Sequence, residues 1–357
     1  MKSIAIIVFA LFSSVLVSQV TDLITSGLID PFDVVVEGNT AYIVEFNGNT
    51  ISSLALDNPD ASLQDVVSNI TLPTTLLFDD DDVYIAQVTG IITRRDASDL
   101  VSNQTTITTG LTTPVSLIRF ENFLYFSEFQ GNRIGRIDLE NGNTVETVIP
   151  GLSFPEQMVL IEDQVYVNIS GTGSIGRFTI TDPNPQIEIV ANGFNTPAGI
   201  VAIGEDIFIT EFVTNGEIFN IDVSESSATT TSLVGGLNNP FGIATFENSL
   251  IFVQNGNNRL SRYDGDLLSI NETRLTRNDI LIYPNPTRGN VTITSKNDIA
   301  TINTITLYDA AGQEVRQINL EASPVSEIAL GVNLKAGFYI AAIQTTAGTT
   351  FRKIVVE

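Results

Sequence analysis

Short apolar runs of four to seven residues, closed by Gly, Asn, Asp or Pro, succeed one another from Val20 to Asp264. The stretch Gly110–Asp138 shows the pattern best: GLTTPVSLIRFENFLYFSEFQGNRIGRID. Its runs predict strands at Val115–Phe120, Phe123–Ser127 and Arg133–Asp138, with a fourth at Thr144–Ile149. Polar turns such as Glu37-Gly38-Asn39, Glu121-Asn122 and Gly204-Glu205-Asp206 separate such runs. No apolar spacing of helical period falls between the strands.

The cassette occurs six times. Its prolines are Pro31, Pro73, Pro114, Pro155, Pro197 and Pro240, separated by 42, 41, 41, 42 and 43 residues. Four short antiparallel strands in each such period predict one propeller blade per repeat. The proline suits the start of the innermost strand, where a missing N–H costs no ladder bond. A β-helix would have shorter coils, and a sandwich would not repeat so regularly. The fold class is therefore all-β: a six-bladed β-propeller over residues 20–270, followed by a separate small module. Residues 20–25 fill the slot held elsewhere by the fourth strand of the preceding blade, so they are expected to close the ring on blade six. Asp266–Ile270 is the competing source.

The strings LYFSEFQGNRIGRID and LIFVQNGNNRLSRYD resemble the NHL-type repeat, and the layout is similar to the six-bladed gluconolactonase-like propellers. The resemblance implies the fold. It leaves function open, because that group includes binding domains, lyases and lactonases.

After Asp264 the period stops. Residues 271–280 read as a linker, and 281–357 as six or seven short strands of a small immunoglobulin-like β-sandwich. Tyr283-Pro284-Asn285-Pro286, Leu307-Tyr308-Asp309 with Gly312-Gln313, and Leu334 to Tyr339 around Gly337 resemble, in order, the C-terminal sorting domain of the type IX secretion system of Bacteroidetes. That resemblance implies the type IX machinery as a partner and a protein released or held on the outer surface of the outer membrane. Residues 1–19, with Lys2 before an apolar Ile4–Val17, read as a secretion signal rather than a membrane anchor. No transmembrane span is expected in the mature protein.

Charge and composition narrow the chemistry. The formal net charge is −24, and residues 21–275 hold 34 acidic and nine basic side chains against seven of each in 276–357. Such a surface argues against nucleic acid as a partner. Histidine and cysteine are absent, which removes the usual neutral-pH base, thiolate chemistry and the common zinc ligands. Lyases of the resembling group use histidine as ligand or base, so no catalytic residue is assigned.

Two columns remain as channel binding candidates. Fourteen residues after each proline stand Glu45, Gln87, Glu128, Ile169, Glu211 and Gln254. If Glu45, Glu128 and Glu211 converged, they could hold calcium or another divalent cation through oxygen ligands. The alternative is architectural, with each group tied to a neighbouring turn and the following Phe46, Phe129 and Phe212 locking blades. Two residues after each proline stand Asp33, Thr75, Ser116, Gln157, Gly199 and Gly242. The two glycines suggest an opening wider beside blades five and six. A metal site of the gluconolactonase type would need Glu, Asn and Asp together, and Glu45, Asn168 and Asp33 are of the right kind. Asp79–Asp82 reads as a solvated turn before a calcium loop. The expected function is a binding module for an extracellular glycan, peptide or surface protein; the alternative is a metal-dependent lactonase or hydrolase.

Overall fold

The computed structural model describes residues 20–265, apart from 59 and 225–227, and the strands of the tail between Ile280 and Val356. The expected signal (1–19), most of the linker, and Pro284, Pro286 and Gly312 lie outside the described residues.

Each repeat folds as one four-stranded antiparallel sheet. The six inner strands are Pro31–Glu37, Pro73–Asp79, Pro114–Phe120, Pro155–Ile161, Pro197–Ile203 and Pro240–Phe246. All six therefore begin on the repeat proline, whose locked φ and lack of N–H suit a strand start. The inner strands pack one against the next, and blade six packs on blade one, so the sheets form a closed ring. Val20–Ile24 supplies the outer strand of blade six by pairing with Arg259–Tyr263. Arg259 and Ser261 both bond the Asp22 carboxylate there. The first strand of the chain thus covers an edge that would otherwise be open to pairing.

One hydrogen bond recurs in every blade. The residue before the proline (Asp30, Leu72, Thr113, Phe154, Thr196 or Asn239) has positive φ, from 48° to 54°. Its carbonyl accepts from the amide fifteen residues after the proline, at 2.9–3.0 Å in all six. Asparagines serve a second recurring turn: Asn49, Asn132 and Asn258 adopt positive φ, as this side chain tolerates. Their side-chain oxygens accept from the amides of Leu72, Phe154 and Asp30 in the next blade, at 2.9–3.0 Å. The Asn258 bond closes the ring.

The core lies between blades and is aliphatic, with Phe126, Phe208 and Phe252 fully enclosed. At the far end from the prolines, the hairpin turns expose Glu37, Asp80, Asp81, Glu121, Glu162, Asp163, Glu205 and Glu247. Asp79 and Asp82 pair with Arg119 and Arg94, so the Asp79–Asp82 stretch is a solvated turn held by ion pairs.

The tail forms a three-stranded sheet (Ile280–Tyr283, Asn290–Ser295, Val325–Ala329) and a four-stranded sheet (Glu314–Ser323, Ile302–Tyr308, Gly337–Thr345, Gly348–Val356). Ile293 from the first packs with Ile305, Leu307, Ala341, Ile343 and Ile354 from the second. Asn285 accepts from the Val355 amide at 2.8 Å, and the Thr287 amide donates to the Val355 carbonyl at 2.8 Å. Asn285 and Thr287 are thereby tied to the last strand. Tyr339 is buried and donates to the Lys335 carbonyl, whereas Tyr283 is exposed.

Candidate functional site

The proline end of the ring gathers the chemistry. Every second strand ends there on the column Glu45, Gln87, Glu128, Ile169, Glu211, Gln254, and all six residues are buried. Glu45, Glu211 and Gln254 accept from the amides of Ile29, Asn195 and Asn238 at 2.6, 2.6 and 2.9 Å. Glu128 accepts likewise from Thr112. In each case the donor lies two residues before the proline of the same blade. Three of these groups have a second partner: Ser52 on Glu45, Arg133 on Glu128, Ser261 on Gln254. Burial raises Glu45 and Glu211 above the ordinary carboxylate range, partly offset by those hydrogen bonds.

This corrects the expected metal centre. Glu45, Glu128 and Glu211 do not converge; each anchors the loop entering its own blade. Among the described residues no three acidic side chains are grouped to hold a metal ion. Glu45, Asn168 and Asp33 are not brought together either. Asn168 donates to the Ala198 and Gly199 carbonyls at 2.7 and 2.9 Å, and Asp33 bonds elsewhere.

The second column lines the axis. Gln157 of blade four donates to Asp33 of blade one at 2.6 Å, a bond between blades that are opposite in the ring. Asp33 is pushed up to about 6 by burial, with Thr75, Gln157 and the Val34 amide opposing the shift. Ser116 accepts from the Met158 amide at 3.0 Å, and Gln157 accepts from the Ile200 amide at 3.3 Å. These side chains staple neighbouring inner strands and bridge the axis at this level.

The glycines do not widen the opening, contrary to the sequence expectation. A Cβ on Gly242 would stand 2.4 Å from Asp33 Oδ1 and 2.5 Å from Asp33 Cα; one on Gly199 would stand 2.2 Å from the Phe241 carbonyl. Blades five, six and one approach closely there, and only glycine leaves the space.

One level nearer the mouth, directly after the prolines, runs a ring that sequence reasoning missed: Phe32, Thr74, Val115, Glu156, Ala198, Phe241. Phe32 stacks on Phe241 with centroids 3.9 Å apart. Phe46 joins Phe32 at 5.5 Å and Phe212 joins Phe241 at 5.1 Å. The four rings make an arc over blades one, six and five, with Phe46, Phe32 and Phe212 half-buried. Across the mouth Phe129 meets Phe154 at 4.9 Å, and Phe154 and Ile29 remain 42% and 56% exposed. Glu156 is the lone charged member of the ring. Burial pushes its carboxyl up to about 8, and one of its oxygens has no hydrogen-bond partner. The signal in the sequence was a single acid in an otherwise uncharged column.

Residues 281–357 match the family of the secretion system C-terminal sorting domain. A streptogramin B lyase structure is similar to the chain at 17% identity and a TM-score of 0.52, over 77% of this chain and 93% of that one. Regucalcin, a calcium-binding protein from Agrobacterium tumefaciens, is similar at 12% identity and a TM-score of 0.53, over 68% and 92%. At these identities the likeness carries the propeller fold alone. A search of curated proteins finds no match. The tail marks a protein handled by type IX secretion and released or attached at the cell surface. No helix among the described residues is long and apolar enough to cross a membrane.

Proposed function

We propose that the propeller is an extracellular binding module and that its ligand face is the proline end. The observation that carries this reading is the phenylalanine arc. The chain has a net charge of −24, and its hairpin end presents acidic turns. Against that background Phe32, Phe46 and Phe212 stay half-buried beside exposed Ile29, opposite exposed Phe154. Rimmed apolar surface of this kind is characteristic of interaction sites. Aromatic rings also supply large contact area at low entropic cost. The polar columns beneath are committed to the scaffold, which leaves the rings as the free recognition surface.

The lactonase or hydrolase reading would draw on Glu45, Glu128 and Glu211, and their backbone commitments weigh against it. A panel of extracellular proteins, peptides and glycans, probed with the full secreted protein, tests the binding reading. Hits are then titrated calorimetrically. Phe46→Ala and Phe154→Ser are expected to weaken a true ligand at least ten-fold, because each deletes exposed ring area. Glu121→Gln, at the hairpin end, is expected to leave it unchanged. The reverse pattern places the ligand on the other end and defeats the proposal.

A further inference from the structure

A cavity of about 240 Å³ opens between blades three and four, on the outer flank of the ring and away from the axis. Strand register builds its blade-three wall. Tyr125 pairs with Arg136 across the second and third strands, and Arg136 with Glu146 across the third and fourth, so the three side chains stand in a row on one face. Arg136 lies 4.2 Å from the centre of the Phe123 ring and donates to Glu146 Oε2 through Nε and Nη2, at 2.9 and 2.8 Å. Both bonds go to one oxygen and the Glu146 side chain stays 53% exposed, which leaves Oε1 to a ligand. Arg136 Nη1 makes one long bond, 3.5 Å to the Tyr125 hydroxyl, and so keeps N–H donors in reserve. The facing wall is the blade-four loop Asp182-Pro183-Asn184-Pro185-Gln186. Its two prolines fix φ. The Asn184 amide donates to Asp182 Oδ1 at 2.9 Å, and Gln186 Nε2 to the Pro185 carbonyl at 3.0 Å. These bonds engage Asn184 through its main chain, so its side-chain amide is available in a wall already set.

Blade four repeats the trio as Tyr166, Arg177 and Glu188 in the same register, with Arg177 on Glu188 at 2.6 Å. The trio alone is therefore scaffold. Its blade-three copy differs in lining this cavity opposite the proline loop. We propose that the cavity binds one pyranose unit of a neutral glycan. At about 30 Å³ per water its volume corresponds to roughly eight waters, room for one sugar ring. A guanidinium and a carboxamide offer donors, and Glu146 and Asp182 offer acceptors, within that one space. A hydroxyl donates and accepts at once, so neighbouring hydroxyls of a sugar match the set. An anion would meet two carboxylates, and an ammonium would meet the guanidinium. A wholly apolar ligand would strip water from charged groups and return no hydrogen bond. Val148, Ile180 and the pyrrolidine rings of the loop supply apolar surface for the C–H face of the sugar. This site does not draw on the proline-end face.

The test is saturation-transfer difference NMR, followed by titration, on the full secreted protein. The probes are the methyl glycosides of glucose, galactose, mannose, fucose and N-acetylglucosamine, with methyl glucuronide as the anionic comparison. At least one neutral glycoside is expected to bind with a Kd of about 10 mM or tighter, and methyl glucuronide at least about three-fold more weakly than the strongest of them. Glu146→Ala is expected to weaken that glycoside about ten-fold and Asn184→Ala about three-fold. Glu188→Ala removes the same ion pair from blade four, outside the cavity, and is expected to change the affinity less than about two-fold. Asn184→Ala alters only an exposed loop side chain and decides the matter should Glu146→Ala not fold. No neutral glycoside bound at that limit, glucuronide bound as tightly, affinity unchanged in both cavity variants, or an equal loss in Glu188→Ala each overturns the proposal. The phenylalanine variants read the proline-end ligand separately, so either site can fail alone.

Discussion

Replacing Glu156 by glutamine isolates the cost of a buried carboxyl in the unliganded protein. Burial alone raises this group from 4.5 to about 8. The folded state therefore holds the proton more tightly than the unfolded chain does. Between pH 4.5 and 8 the unfolded chain has released its proton and the folded protein still retains it. Stability on account of this group is complete below 4.5, falls as pH rises through that window, and is level above about 8. At about 1.4 kcal/mol per pH unit, the interval corresponds to about 5 kcal/mol, an upper bound that entering water reduces to roughly 2–5 kcal/mol. Glutamine has no proton to lose. The free energy of unfolding of Glu156→Gln minus that of the parent is thus expected to grow with pH. Asp33, raised to about 6, titrates in both proteins and largely cancels in the difference. Urea unfolding at pH 5, 6.5 and 8, followed by far-ultraviolet circular dichroism and fitted separately for propeller and tail, measures it. A difference constant to within about 0.5 kcal/mol across that range refutes the buried, unpartnered carboxyl.

Other perturbations test the scaffold. Gly242→Ala forces a Cβ to 2.4 Å from Asp33 Oδ1 and 2.5 Å from Asp33 Cα; urea unfolding is expected to show a loss of about 2–4 kcal/mol. Gly235→Ala, whose nearest neighbour is the flexible Glu217 side chain at 3.3 Å, is the control and should stay within about 0.5 kcal/mol. Asn132→Ala removes both a tolerant positive-φ residue and the acceptor for the Phe154 amide, for an expected loss of about 1–3 kcal/mol. Asn132→Gly should recover the backbone part of that loss and leave the rest. Asp22→Ala removes the acceptor for Arg259 and Ser261 at the ring closure; hydrogen exchange should show faster exchange along Arg259–Tyr263 while blade three is unaffected.

The architecture was legible because it rests on local chemistry repeated six times. Proline fixes one φ and removes one donor wherever it stands, so its period located all six inner strands. The strands expected from Gly110–Asp138 and beyond agree with the structure to within a residue at each end. Ring closure was legible because Val20–Ile24 matched the missing slot of blade six. The candidate site was less so. Glu45, Glu128 and Glu211 recur in sequence, and recurrence in a ring means equivalent placement, which is separation around the axis rather than convergence. Their partners are backbone amides, which no residue pattern displays. The glycines misled for a related reason: a missing side chain permits either a gap or a close approach, and only the packing of Phe241 and Asp33 against Gly199 and Gly242 decides between them.

A ring of equivalent blades constrains where recognition can arise. The bond from the residue before each proline recurs in all six blades, and in four of them the side chain fourteen residues after the proline accepts from the amide two residues before it. Sequence there is held to what the backbone requires. The ring directly after the prolines carries no such shared bond, and its members differ in size, charge and aromaticity: Phe32, Thr74, Val115, Glu156, Ala198, Phe241. Phe32 and Glu156 belong to opposite blades, so this ring sets an aromatic side chain and a buried acid on opposite sides of the axis. The same reasoning separates the two ends of the propeller. The hairpin turns expose acids that water solvates, whereas Glu156 is shielded from it. The unliganded protein bears the cost of that shielding as lost stability at neutral and higher pH.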